Sequence, residues 1–98
     1  MLLICAVVAI LAGAALALAG CGGEARVRGV ITGVQARDIG HAQAITIRTD
    51  DGRELHLQVD PQVEMTPGHL REHMTFGEPV TVYYRRSGSA LIAVRVTD

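Results

Sequence analysis

The sequence predicts an all-β domain, a small five-stranded barrel interrupted by one short helix, standing behind an apolar N-terminal leader. Three observations carry that expectation. From Arg26 onward apolar and polar residues alternate with a period of two, the spacing of a half-buried strand rather than of a helix. Turn residues cut this alternation into five runs. A single segment between the third and fourth runs carries helix-start signals instead.

The first run, residues 26–36, is rich in β-branched side chains, and Gly29 and Gly33 offer places for a long strand to bend or bulge. The second, 44–49, places Ile45 and Ile47 on one face and Thr46 and Arg48 on the other. Asp50-Asp51-Gly52 follows as a hairpin turn, because Asp-Gly accepts the positive φ that tight hairpins need. In the third run, 54–59, Leu55, Leu57 and Val59 point inward and His56 and Gln58 outward, and Asp60-Pro61 ends it. Residues 66–74 form the helix, with Thr66 as its cap and Pro67 in its first turn. Gly77-Glu78-Pro79 turns the chain into the fourth run, 80–86, and Ser87-Gly88-Ser89 turns it into the last, 91–96. The expected core is Ile31, Ile45, Ile47, Leu55, Leu57, Val59, Val80, Val82, Ile92, Val94 and Val96, with Leu70 and Met74 of the helix closing one end.

The order strand-strand-strand-helix-strand-strand is the plan of the OB-fold, a five-stranded, partly open Greek-key barrel. An SH3-like roll or an open meander is the competing arrangement. The pattern resembles the small OB-like domains of uncharacterised bacterial periplasmic proteins, through Gly29-Val30-Ile31, the Asp51-Gly52 hairpin, Gly77-Glu78-Pro79-Val80-Thr81-Val82 and the closing Leu91-Ile92-Ala93-Val94-Arg95-Val96. These are signals of fold, not of chemistry.

Residues 2–19 contain no charged side chain, and Leu18-Ala19-Gly20-Cys21 ends that stretch. Its length falls slightly short of the roughly 20 apolar residues of a spanning helix, as a signal h-region does. The four residues resemble the lipobox of bacterial lipoproteins. That resemblance implies a signal peptide over 1–20, cleavage between Gly20 and Cys21, and a thioether-linked diacylglycerol and an N-acyl chain on Cys21. It further implies a tether over 21–25, a barrel over 26–98, and a cell-envelope address. Gly22 after the cysteine implies the outer membrane, facing the periplasm, in a two-membrane bacterium and the cell membrane otherwise. Ala17-Leu18-Ala19 also fits the small-residue site of ordinary secretion, and an uncleaved anchor is a third possibility. No Lys or Arg opens the leader, which a start codon upstream would explain.

Of the two cysteines, Cys5 falls in the leader and Cys21 is the lipidation candidate, so no disulfide is expected in the domain. The net charge is −1 and every basic residue is Arg. Such a balance gives no argument for nucleic acid, and Phe76, Tyr83 and Tyr84 are too few aromatics for a stacking platform.

His69-Leu70-Arg71-Glu72-His73 matches H-x-x-E-H, the zinc signature of inverted metalloproteases. The spacing puts both imidazoles on one helical face. No third ligand is evident in the sequence and the chain is too short for a substrate cleft, so an exposed polar helix face is the plainer reading and a hydrolase ranks third. Met65, His69, His73 and Met74 also put two thioethers and two imidazoles within ten residues, a set that suits Cu(I). The copper and silver chaperones of bacterial cation-efflux systems are small OB-like barrels, but their ligands lie on strands and include a tryptophan, which this chain lacks. Tyr83, Arg85 and Arg86 form a candidate surface patch for a protein or an anion, and His41 and His56 read as single surface residues.

The expected function is thus a non-catalytic binding or accessory module held at the membrane by a lipid, with envelope proteins as its partners and no cofactor beyond that lipid. The alternative is a small copper-type metal-binding protein of the envelope. Replacing Cys21 with Ser leaves a lipoprotein unanchored: Cys21→Ser protein recovered from fractionated cells is expected in the soluble fraction, and its retention with the membranes contradicts the anchor.

Overall fold

The computed structural model describes residues 24–98. The leader, the Gly20 cleavage position and Cys21 lie outside them. The elements run β1 (Ala25–Ala36), β2 (Ala42–Thr49), β3 (Glu54–Val59), α1 (Pro67–Phe76), β4 (Val80–Ser87) and β5 (Ala90–Thr97). The strands close into a barrel in the order β1-β2-β3-β5-β4. All neighbours pair antiparallel except β3 and β5, which run parallel through Gln58–Ile92 and Val59–Ala93. The order of elements and the closed sheet are those of the OB-like barrel expected from the sequence.

Closure depends on β1, which serves both halves of the barrel. Residues 25–29 pair with β4 and residues 29–36 pair with β2, so Gly29 faces Val80 on one side and Thr49 on the other. A Cβ at Gly29 would collide with the backbone carbonyl of Arg48, so no larger residue fits the crossing. A register shift between Ile31 and Gly33 adds a bulge just beyond it. Bulges raise local twist, and the two features together bend β1 far enough to meet both edges.

The β2–β3 turn has Gly52 at φ +89°, as the Asp-Gly pair predicts. Thr49 shapes it from below: its hydroxyl bonds the Asp51 carboxylate and accepts the Arg53 N–H at 3.0 Å. At the entrance to α1, Thr66 Oγ1 accepts the His69 N–H at 3.2 Å. The helix lies against β1 and buries Leu70 completely.

The core consists of Ile31, Ala42, Ile45, Ile47, Leu57, Val59, Val63, Leu70, Val80, Val82, Ala93 and Val96. Leu55, Met74 and Tyr84 are partly buried against it. One expectation needs correction. Ile92 and Val94 do not join the core, and Ala93 does. Tyr83 pairs with Arg95 and Tyr84 with Ala93, so Val94 is an extra residue in β5. A one-residue insertion reverses which side chains face in, and simple alternation cannot foresee it.

Two substitutions probe this architecture. Gly29→Ala is expected to destabilise by about 1–3 kcal/mol through forced separation of β1 and β2. Leu70→Ala is expected to lose about 2–5 kcal/mol through the cavity it leaves. Urea unfolding of both variants measures the two losses.

Candidate metal centre

The i, i+4 spacing in α1 stacks the imidazoles of His69 and His73, with centroids 5.1 Å apart and planes 18° from parallel. Barrel closure then supplies what the local sequence does not. β5 leaves the sheet beside the helix and brings Asp98 to both rings. Asp98 Oδ2 lies 3.5 Å from His69 Nε2 and 3.4 Å from His73 Nε2. The ligand atoms of the three residues all lie within 4.8 Å of one another. A third ligand therefore exists, contrary to the reading from sequence, and it comes from the far end of the chain.

These distances suit a small cation. With bonds of about 2.1 Å, the edge of a tetrahedral coordination shell is about 3.4 Å. Both nitrogen–oxygen edges already have that length, and small rotations of two exposed side chains, His69 and Asp98, shorten the remaining one.

His73 is the rigid member. It is 6% exposed, whereas the expectation of a polar exposed helix face would leave it in water. Its position is set by the helix terminus. Gly77, at φ +64°, donates its N–H to the Met74 carbonyl, and the Glu78 N–H donates to the His73 carbonyl at 2.9 Å. This is the paired bonding of a Schellman cap. The same residue returns a contact, because the Glu78 carbonyl lies 3.3 Å from His73 Nδ1. A carbonyl oxygen only accepts, so Nδ1 is the donor in this contact, and the other ring nitrogen, Nε2, faces Asp98 Oδ2 at 3.4 Å. Metal-binding histidines are oriented in this way by a partner on the second nitrogen.

The Asp98 carboxyl is held below its ordinary value of 3.8. The first cause is a hydrogen bond from its own backbone N–H; partial burial opposes it, and the His73 hydrogen bond and the charges of His69 and His73 add to it.

Met65 and Met74 rest against the hydrophobic core, and Met65 lines a groove of about 330 Å³ with the β5 residues Val94 to Thr97. The clustered ligand atoms of His69, His73 and Asp98 are nitrogen and oxygen. Glu72 of the H-x-x-E-H motif is exposed and is not among the three clustered residues. Tyr83 stacks under Arg95, whose guanidinium carbon is 4.1 Å from the ring centre. Arg85 lines a separate groove with Arg37 and Asp60, and Arg86 is exposed near the end of β4. His56 bonds Thr46 Oγ1 at 3.1 Å and His41 bonds Asp38 at 2.9 Å, both at the surface. Asp98 and Arg95 were not singled out in the sequence: their partners are 25 and 12 positions away, at separations that carry no local signal.

A depressed carboxyl contributes stability above its unfolded pKa and loses it as pH falls through the folded value. Asp98 is therefore expected to stabilise the fold at neutral pH and to stop doing so below about pH 3.8. Acid unfolding of wild type and Asp98→Asn should show two curves that differ at neutral pH and converge at the acid end.

No protein-family model and no curated protein matches the sequence. The fold is similar to the crystal structure of Ag(I)CusF, with a TM-score of 0.54 at 15% identity, over 76% of this chain and 95% of that one. At that identity the likeness establishes the fold alone: a small closed barrel, seen there in a silver-bound protein.

Proposed function

We propose that this protein is a lipid-anchored protein of the bacterial envelope that binds a divalent transition-metal ion through His69, His73 and Asp98. One observation carries the reading: three ligand atoms from two distant parts of the chain converge within 4.8 Å, and one of them belongs to a buried, oriented imidazole. This favours metal binding over an accessory module without a metal. The similarity to a silver-bound barrel supports the same direction.

Donor chemistry selects the metal. Two imidazoles and a carboxylate suit Cu(II) and Zn(II), with Cu(II) the tighter by the usual order of stability, whereas Cu(I) and Ag(I) favour the sulfur ligands that here lie against the core. His73 holds the ion in place, and the exposed His69 and Asp98 close on it from the solvent side. Three protein ligands leave a coordination position open for water or for a ligand from a partner, as suits a protein that loads and releases an ion. The anchor rests on Leu18-Ala19-Gly20-Cys21 and holds the domain near membrane partners.

Calorimetric titration with Cu(II), Zn(II) and Ag(I) tests the site. One equivalent of Cu(II) is expected to bind tighter than micromolar, Zn(II) less tightly and Ag(I) least. His69→Ala, at an exposed position, and Asp98→Asn should each weaken Cu(II) binding at least about tenfold, with the unfolding midpoint of the metal-free His69→Ala protein staying near wild type. Binding of Cu(II) no tighter than micromolar, or binding that both variants retain, overturns the assignment.

A further inference from the structure

The net charge of −1 gives the whole chain no attraction to an anionic surface, yet several arginines share one outer face of the barrel. The register places Arg26 of β1 opposite Tyr83 of β4, and Tyr83 opposite Arg95 of β5. Arg85 stands two residues beyond Tyr83 on the same side of β4. The outer face of these three strands therefore carries three exposed arginines around one half-buried tyrosine. The Arg95 guanidinium lies 4.1 Å over the Tyr83 ring, which holds that cation flat on the face. The next row outward is Arg28, Thr81 and Thr97, and Arg28 is paired with Asp50 at 3.0 Å. The acidic groups at its margins are Glu24, just before β1, Asp60, which shares a groove with Arg85, and Glu64, which shares another with Arg95.

The position of this face along the chain gives it a meaning. β1 begins at Ala25, and Cys21 is five residues before Arg26. At no more than about 3.6 Å per residue, whatever path the tether takes, Arg26 stays within about 18 Å of a lipidated cysteine. The antiparallel register brings the ends of the neighbouring strands to the same place, since Ala25 pairs with Tyr84 and Arg85 follows it. The arginine face thus begins where the anchor ends. A tyrosine ring set among cations is also suited to the boundary between headgroups and water, with an apolar body and a polar tip.

We propose that the Arg26–Tyr83–Arg95 face, extended by Arg85, docks on the anionic phospholipid headgroups of the membrane that holds the anchor. The domain then does not swing freely on its tether. It lies with the outer face of β1, β4 and β5 on the bilayer. This inference rests on the anchor reading of Cys21 and adds to it an orientation.

The test uses the processed full chain reconstituted into vesicles of phosphatidylcholine alone and of phosphatidylcholine with phosphatidylglycerol. An environment-sensitive fluorophore is attached at Ser87→Cys, at the exposed end of β4. Flotation with phosphatidylcholine vesicles reads the anchor by itself, and failure to float overturns the anchor reading. The fluorophore reads the face. A blue shift is expected only with phosphatidylglycerol present, and added salt should reverse it. Each basic side chain near an anionic surface adds about a fivefold factor to docking. Arg26→Gln, Arg85→Gln and Arg95→Gln together should therefore lower the docked population about a hundredfold, and the three corresponding Lys substitutions should restore most of it. Flotation without any phosphatidylglycerol-dependent shift overturns the proposed face, as does a shift that the triple Gln protein retains. Vesicles without anchor-dependent flotation still decide the face: salt-sensitive binding to phosphatidylglycerol that the Gln variants lose supports it, and no such binding refutes it.

Discussion

Everything in this domain follows from the bend in β1. A five-stranded sheet closes only if one strand reaches both edges, and here the strand does so by crossing Arg48 at a distance that only glycine permits. Gly29 stands in register with both neighbours, Val80 of β4 and Thr49 of β2. The bulge before Gly33 turns the remainder of the strand. Closure creates an interior for Ile31, Ile47, Leu57 and Val82, and an end that α1 covers with Leu70. An open sheet of the same strands would leave the helix without a surface to fit and β5 without a fixed exit.

The site at the end of the barrel is a by-product of finishing these elements. A helix needs its last carbonyls satisfied, and the cap at Gly77 does this by turning the Glu78 peptide back on His73. The same turn occupies Nδ1 of the imidazole and leaves Nε2 directed outward. Asp98 arrives from β5, whose exit is set by pairing with β4 up to Thr97. No buried side-chain nitrogen or oxygen among the described residues is left without a partner, so burial of His73 does not leave a polar atom stranded. The imidazole pair and the shared carboxylate form a cluster in which both nitrogen–oxygen edges are already set.

The pattern of alternation was legible because it is enforced locally. The third strand has the bounds read from the sequence, and the others differ by a residue or two at their ends. The helix extends to Phe76, as its capping glycine at 77 allows. What escaped was what two strands decide together. The extra residue at Val94 depends on how β5 pairs with β4, and it exchanged Ile92 and Val94 for Ala93 in the core. Val63 and Ala42 lie outside the runs read from the sequence; Val63 is buried on the connection from β3 to α1, and Ala42 is the first residue of β2, paired with Ala36.

The same division holds for function. The sequence alone determined the number and order of strands, the turn at Asp51-Gly52, the cap at Thr66 and the pairing of His69 with His73 on one helix face. Each of these is set by neighbours within a few positions, through backbone geometry and the period of the element. Only the tertiary structure decided that Asp98 joins the two histidines, that both methionines rest on the core, and that Arg26 and Arg95 flank Tyr83. Those meetings join residues that are far apart in the chain. Their cause is barrel closure, which no local pattern encodes.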